Sequence, residues 1–282
     1  MTVTPPRTPT SPTASATATY VYAVCRAGHP GVPATVRGHG GGGPLRLLAA
    51  GAVCALVQDV PEGDFSETAL RQRFADPAEL EHCARTHHEV VTAATAAGPA
   101  VPLPLATLYL GDARAGAALG EHGDRFLRAL EHVTGRAEWA VKVHLTQAAG
   151  PPRPATPAAG QAVSGRAYLD RLRGRQQVRE QHRQNALDAA EQVDRTVRGL
   201  AVAAMRRRPH GAEVTGRDRT QIMNAAYLIA DDRSAELPAA IGKLQDDPAL
   251  AGVEIDVSGP WVPYSFTDLA DLTEGEDRAE HA

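Results

Sequence analysis

The feature that most constrains the fold of this 282-residue sequence is a long charged segment between residues 164 and 208. Its apolar residues recur at steps of three and four, at Ala186, Ala190, Val193, Val197, Leu200 and Ala204. This spacing places them on one face of an α-helix, with Ser164 as a suitable N-cap and Pro209 and Gly211 as the stop. Such a helix would be about 65 Å long at 1.5 Å per residue, longer than a small sheet can cover.

Strand patterns lie on both sides of this helix. Over residues 138–145, Trp139, Val141, Val143 and Leu145 alternate with other residues, which is typical of a strand with one buried face. Further strands are predicted at 212–215, 222–230 and 253–257, with a short amphipathic helix at 237–244. The order β-α-β-β-α-β predicts a ferredoxin-like domain over residues 136–267, in which a Pro-rich loop at 146–160 joins the first strand to the long helix.

The N-terminal part has a different element order. Strands are predicted at 20–25, 45–48, 53–57 and 101–108, and helices at 77–97 and 115–133. Strands mostly precede helices, which favours an α+β domain over residues 19–135 with helices packed on one sheet. The predicted fold class is therefore α+β with two domains. Residues 1–18, rich in Pro, Thr, Ser and Ala, and the acidic tail 268–282 are expected to be disordered.

Composition excludes several classes of protein. No apolar run approaches the roughly 20 residues that cross a bilayer, and the N-terminus has no apolar core of a secretory signal. Three cysteines, Cys25, Cys54 and Cys83, with apolar neighbours are typical of reduced buried thiols, so a cytoplasmic protein is expected. A net charge of −4 indicates neither a nucleic acid nor a lipid membrane as partner.

Charge is nevertheless uneven along the chain. From Arg166 to Arg208 there are eleven arginines against five acidic residues, whereas the tail after Thr267 is acidic. Four of the arginines recur every four residues and define an arginine stripe on one side of the long helix: Arg171, Arg175, Arg179 and Arg183. Two interpretations stay open, a solvated helix end and a docking surface for an acidic partner. Nucleic acid is disfavoured because aromatic residues make up only 4% of the chain.

Two motifs contain residue types that are common in phosphate-binding and metal-binding sites. The run HGGGG at 39–43 lacks the Lys-Ser/Thr pair of a phosphate-binding loop and leads into a strand. A flexible surface loop is therefore expected. The alternative is that the protein is a small-molecule or nucleotide-dependent enzyme that uses residues 38–43. In HCARTHH at 82–88, only Cys83 and His87 share a helix face, and two ligands do not hold a structural zinc. We interpret this segment as a partly exposed polar face, and predict no catalytic residue, metal or cofactor.

The chain's last structured segment, GPWVPY at 259–264, places two prolines around an aromatic residue. One interpretation is that Trp261 and Tyr264 close the core of the second domain. The other is that they form an exposed aromatic patch that contacts a partner.

Six segments occur in an order that is similar to that of one known family: YVYAVC at 20–25, VPLPLATLY at 101–109, EWAVKVHL at 138–145, SGRAYLDRLR at 164–173, NAAYLIA at 224–230 and SGPWVPYSF at 258–266. Together they resemble the GvpL/GvpF family of gas vesicle proteins over residues 19–266. One departure lies in the second segment, where the family usually has an Arg and a Gly and this chain has Pro104 and Ala106.

The resemblance implies a function that composition and periodicity do not reach. It implies a non-enzymatic accessory or minor structural protein, located in the cytoplasm and at the gas vesicle, that acts through protein contacts during assembly. The implied partners are the small hydrophobic shell subunit and other accessory gas vesicle proteins. A strongly apolar subunit must be kept from aggregating before it joins the shell, which gives this role a physical rationale.

Overall fold

The computed structural model describes residues 16–146, 165–209 and 220–267. They form an α+β protein whose strands all pair antiparallel. The chain divides into two compact units, which cover residues 16–132 and 133–267 of the described part.

The first unit contains a five-stranded sheet in the order β2-β3-β1-β4, with β5 also paired to β1. Its elements are β1 (Thr17–Arg26), β2 (Arg46–Ala50), β3 (Val53–Pro61), α1 (Glu62–Phe65), α2 (Glu67–Ala75), α3 (Pro77–Ala97), β4 (Ala100–Pro102), β5 (Leu108–Tyr109), α4 (Asp112–Glu121) and α5 (Gly123–Val133). Residues 18–25 of β1 are all buried, because β1 is a central strand covered on both faces. The predicted helix at 77–97 is confirmed, and it begins where the Asp76 side chain accepts a hydrogen bond from the Ala78 amide.

Two predictions for this unit are wrong in detail. The strand predicted over 101–108 is broken into β4 and β5 by a turn in which Ala106 has a φ of 64°. The helix predicted over 115–133 is interrupted at His122, between α4 and α5. In addition, β1 begins at Thr17, inside the segment that was expected to be disordered.

The second unit contains a four-stranded sheet in the order β7-β8-β6-β9. Its elements are β6 (Arg136–Leu145), α6 (Gly165–Arg198), β7 (Ala203–Arg206), β8 (Thr220–Ala230), α7 (Glu236–Gln245) and β9 (Val253–Trp261). Both α6 and α7 pack on one face of this sheet, where apolar residues of helices and strands form a common core: Val141, Val143, Val193, Val197, Tyr227, Ile229, Leu237 and Ile241. The strands predicted at 138–145, 222–230 and 253–257 and the helix at 237–244 are confirmed.

The long helix ends ten residues before the predicted position. It stops at Arg198, and the chain then forms β7, an edge strand that pairs with β8. Just before β7, the Val202 amide donates a hydrogen bond to the Leu228 carbonyl (2.8 Å). Ala204 therefore reaches the core from a strand. The apolar spacing continued through two different elements, which is why it suggested one helix.

Some predictions fall on residues that the structure does not describe. These are the strand at 212–215, the cap at Ser164, almost all of the Pro-rich loop 146–160, and most of the two terminal segments. Within the described ranges, no helix is both long enough and apolar enough to span a membrane.

Candidate functional site

The long helix α6 has two halves with different surroundings. Over 186–197, five residues of one face are buried in the core of the second unit: Ala186, Ala189, Ala190, Val193 and Val197. Over 172–185, by contrast, every residue is exposed except His182, which is half-buried. The N-terminal half of α6 therefore extends beyond the packed surface of the described part of this unit.

The arginine stripe lies on the inner face of this extension. Residues four apart on a helix differ by about 40° in direction, so Arg175, Arg179 and Arg183 continue the line of the buried residues Ala186 and Ala190. The opposite, outward face carries Gln177, Gln181 and Gln184. All three arginine side chains are exposed, and Arg171 lies in the same helix one turn earlier. The stripe thus replaces the apolar face at the point where the sheet ends.

A cleft lies at the same end of the sheet. His182 of α6 approaches Gly252 so closely that a Cβ there would lie 3.4 Å from the imidazole Nε2. Beside Gly252 is an open cleft of about 360 Å³ lined by Thr146, Gln245, Leu250, Ala251, Val253, Glu254 and Ile255. Its floor is mainly apolar, and the Gln245 side chain donates a hydrogen bond across it to the Ile255 carbonyl (3.5 Å).

The two aromatic residues at the end of β9 and just after it are exposed, with 48% of Trp261 and 37% of Tyr264 accessible to solvent. Val262 and Phe266 are buried instead, and Phe266 packs on the sheet face opposite the helices. The core is therefore closed by Val262 and Phe266, which favours the aromatic patch over the interpretation that Trp261 and Tyr264 close the core. The end of β9 requires glycine at position 259, because Gly259 has a φ of 140° and a Cβ there would lie 3.0 Å from the Trp139 ring.

A buried carboxylate fixes the segment that carries these aromatics. Glu138 of β6 accepts hydrogen bonds from the amide (2.9 Å) and hydroxyl (2.8 Å) of Ser265, and pairs with Arg207 (2.7 Å). Sequence reasoning missed Glu138 and Arg207. The available signal was that Glu138 is a charged residue in a predicted strand. This signal does not reveal its partners, because Arg207 and Ser265 are distant in the sequence.

A second buried carboxylate joins α6 to the sheet. Asp194 accepts hydrogen bonds from Tyr227, Arg198 (2.9 Å) and Arg206 (2.8 Å). Burial alone would raise the pKa of Asp194, but these three donors together hold it below its usual value. The same contact raises the pKa of Tyr227, first through burial and then through the adjacent carboxylate. Asp194 is therefore a charged anchor for the packed half of α6.

The Gln58 side chain forms three hydrogen bonds with the glycine-rich loop of the first unit. Gln58 of β3 donates to the carbonyls of His39 (3.0 Å) and Gly43 (2.9 Å) and accepts from the His39 amide (2.8 Å). A Cβ on Gly38 or Gly42 would lie 2.3 Å or 2.5 Å from this side chain. The expectation of a surface loop is confirmed, since Gly40 and Gly41 are exposed, but His39 is buried and the glycines give space to Gln58.

Cys83 and His87 are both buried, so the prediction of a partly exposed polar face is wrong for these two residues. The Nε2–H group of His87 donates to the Leu103 carbonyl (3.1 Å), which leaves Nδ1 to accept from the Tyr20 hydroxyl (2.9 Å). Cys83 receives a contact from Arg73 (3.2 Å). Among the residues described, no three His, Cys, Asp or Glu side chains are grouped so as to hold a metal ion.

The turn that contains Pro104 and Ala106, where the sequence departs from the family pattern, also contacts Tyr20. The Ala106 amide donates to the Tyr20 hydroxyl (3.0 Å), and its positive φ is a conformation that glycine adopts without strain. A glycine, as the family usually has there, would suit this backbone. The Pro104 carbonyl accepts a hydrogen bond from the Thr107 amide (3.3 Å) and so closes this turn.

Comparisons with known proteins agree with the six sequence segments. A family described as "Gas vesicle synthesis protein GvpL/GvpF" matches residues 18–268. Gas vesicle protein L of Streptomyces sp. (strain CB03234) is 36% identical, with 89% of this chain and 93% of that protein covered. Gas vesicle protein F of the same strain is 27% identical, with 89% of this chain and 99% of that protein covered.

Solved structures show the same fold. The crystal structure of GvpF from Anabaena sp. PCC7120 has a TM-score of 0.60 at 15% identity and covers 89% of this chain and 96% of that chain. GvpF from Microcystis aeruginosa has a TM-score of 0.57 at 14% identity, with coverages of 89% and 99%. The GvpL/GvpF family consists of gas vesicle proteins and is not known as a family of enzymes. The chain belongs to the GvpL/GvpF family of gas vesicle proteins.

Proposed function

We propose that this chain is a non-enzymatic accessory or minor structural protein in gas vesicle assembly. It acts through contacts with the shell subunit and with other gas vesicle proteins, in the cytoplasm and at the gas vesicle, without nucleic acid or a lipid membrane as partner. The observation that carries this proposal is membership of the family over nearly the whole described chain. The alternative of an enzyme that uses residues 38–43 is disfavoured because Gln58 fills the space beside the glycines.

We further propose two domains, the second of them ferredoxin-like. The element order β6-α6-β7-β8-α7-β9 and the sheet order β7-β8-β6-β9 support this architecture. In this plan both helices pack on one sheet face, and the extension of α6 past the strand ends does not pack on the described part of the sheet.

The arginine stripe is the proposed docking surface for an acidic partner. Arg175, Arg179 and Arg183 are exposed on the inner face of the extension, where a helix of this length would ordinarily be apolar. Arg171 continues the stripe by one turn. A guanidinium group can bind a carboxylate through two parallel hydrogen bonds, so a row of arginines suits an acidic surface.

Trp261 and Tyr264 form the proposed second contact. Exposed aromatic side chains contribute large contact areas at protein interfaces. Glu138 holds Ser265 and thereby fixes the segment that carries both rings. A rigid aromatic patch loses little conformational freedom on binding, which favours a specific partner surface.

The decisive experiment deletes the gene for this protein in a host that makes gas vesicles and then reintroduces the unaltered gene or a variant. Deletion should abolish or deform the vesicles seen by electron microscopy, and the unaltered gene should restore them. A variant with Arg171, Arg175, Arg179 and Arg183 changed to Glu should fold and yet fail to restore vesicles. Arg175, Arg179 and Arg183 are exposed, and exposed charges contribute at most about 1 kcal/mol each.

A matched control separates docking from overall charge. Changing the exposed arginines Arg37, Arg114, Arg128 and Arg195 to Glu alters net charge by the same amount but leaves the stripe intact. This control should restore vesicles. Normal vesicles from the stripe variant would contradict the docking role, and normal vesicles after deletion would contradict the proposed function itself.

A further inference from the structure

We propose that the inner face of the α6 extension, with the adjoining cleft, binds the acidic segment 268–282 of a second copy of this chain. This inference rests on the proposed function of the arginine stripe as a docking surface. It names the occupant of that surface and implies that the protein associates head to tail.

The first support is that the arginines have no acidic partner of their own. Within the described part of the chain, Arg175, Arg179 and Arg183 form no ion pair. The only acidic residue between 172 and 185 is Glu180, which lies away from the inner face. An anionic segment brought from elsewhere would satisfy all three guanidinium groups.

The second support is the chemistry of the cleft beside them. Its apolar floor includes Leu250, Val253 and Ile255, close to the point where His182 meets Gly252. The segment DLADLTEGEDRAEHA has six acidic residues against one arginine, and two leucines, Leu269 and Leu272. Acidic side chains for the arginines and leucines for the floor thus occur in one stretch of this same sequence.

The third support is reach, which favours a second copy. Thr267 follows Phe266, which packs on Ala226 and Leu228 across the sheet from α6. Ser265 places this point beside Glu138, whereas the cleft lies at the Leu145 end of β6, about 23 Å away along the strand at 3.3 Å per residue. Passing to the other sheet face adds about 10 Å, the usual spacing of packed layers.

Within one molecule, half of the acidic residues therefore fall short of the cleft. Asp271 and Glu274 lie four and seven residues after Thr267 and reach at most about 14 and 25 Å from it when the chain is fully extended, and Asp268 reaches less. A second copy has no such restriction. The contact joins two different surfaces, so it is heterologous and leaves a free stripe at one end and a free tail at the other.

The test is sedimentation velocity on three full-length proteins at about 50 mM salt. The unaltered protein should associate with concentration, and this should weaken about tenfold or more at about 300 mM salt because screening shortens the reach of charges. A stripe variant (Arg175, Arg179 and Arg183 to Gln) and a tail variant (Asp271→Asn, Glu274→Gln, Glu276→Gln, Asp277→Asn) should each remain monomeric.

Mixing the two variants gives the most specific result. The stripe variant keeps an intact tail, and the tail variant keeps an intact stripe, so the mixture should form dimers and nothing larger. A control with Arg114, Arg128 and Arg195 changed to Gln loses the same charge and should associate like the unaltered protein. Circular dichroism verifies that each variant is folded.

Several outcomes would overturn the inference. They are a monomeric unaltered protein at all concentrations, association that persists in either variant, or a mixture that forms no dimer. If the unaltered protein is monomeric while gas vesicle formation still requires the stripe, then the docking function stands and its occupant is an acidic segment of another protein.

Discussion

The two units of this protein differ in the electrostatic state of the buried polar clusters described above. In the first unit, Tyr20, His39 and His87 lie in a neutral cluster of aromatic rings beneath α3 and the glycine-rich loop. In the second, Asp194 and Glu138 are charged and are each paired with arginine. A neutral cluster avoids the cost of a buried charge, whereas an ionic anchor must supply enough donors to offset that cost.

This difference fixes the pH range in which each unit is vulnerable. Burial lowers the pKa of both His39 and His87 from 6.5 to about 4, with neighbouring positive charges adding to the effect on His39. The folded first unit therefore binds fewer protons than its unfolded form below pH 6.5. The depressed pKa of Asp194 acts in the same direction but at lower pH, because its contribution to stability is lost only as the pH falls below about 3.8.

Acid should produce the largest effect and should act first on the first unit. Between pH 6.5 and 4, each histidine should remove about 3 kcal/mol of stability, because one pKa unit is worth about 1.4 kcal/mol. Hydrogen exchange followed by mass spectrometry should reveal loss of protection in β1 at a pH where β8 is still protected. Equal loss in both sheets would remove the distinction between the two units.

Removing the ionic anchor should have the next largest effect. Asp194→Ala leaves the Tyr227 hydroxyl buried without its acceptor and should destabilise the second unit by about 3 kcal/mol. Asp188→Ala, at an exposed position of the same helix, should cost no more than about 0.5 kcal/mol. Urea unfolding monitored by tryptophan fluorescence checks this, because Trp139 and Trp261 both lie in the second unit. Similar midpoints for the two variants would contradict the role of Asp194.

The amide network of the first unit can be tested at a single glycine. In Gly42→Ala, the new Cβ would meet both Gln58 and the backbone carbonyl of Asp59 (2.9 Å), at a cost of about 2 kcal/mol. Gly40→Ala is the matched control, since a Cβ there meets nothing within 4 Å. The measurement is protection of the β3 amides from hydrogen exchange. Comparable protection in both variants would mean that the loop tolerates displacement from Gln58.

The smallest expected effect is stabilising. Ala106→Gly relieves a left-handed residue whose strain is about 1 kcal/mol, partly offset by the greater freedom of glycine in the unfolded chain. We expect a gain of about 0.5 kcal/mol, measured as a shift of the urea midpoint for the first unit. Ala34→Gly, at a loop residue whose own φ is not positive, should instead destabilise slightly. A loss of stability in Ala106→Gly would indicate that the positive φ of Ala106 costs the folded state little free energy.

The local spacing of apolar residues predicted most strands and helices, because this spacing indicates which face of an element is buried. It failed where one apolar spacing ran through two elements, as at Leu200 and Ala204, and where a turn interrupted an apolar run, as at Ala106. The arginine stripe could be recognised from the sequence. Its place on the inner face depended on knowing where the sheet ends.

The anchors lay beyond sequence reasoning for a different reason. Tyr227 and Asp194 are 33 residues apart, and Glu138 and Ser265 are 127 residues apart. No local pattern pairs such residues. Only the folded arrangement of β6, β8 and the segment after β9 brings them together.

The contact between Gln58 and the glycine-rich loop has a consequence for the evolution of this family. Gly38 and Gly42 lack side chains because an amide occupies the space, and glutamate, although similar in shape, has no N–H groups for the carbonyls of His39 and Gly43. Three sequence positions are thus tied together and should vary as a set. In relatives that have lost the glutamine, we expect both glycines to have been free to acquire side chains.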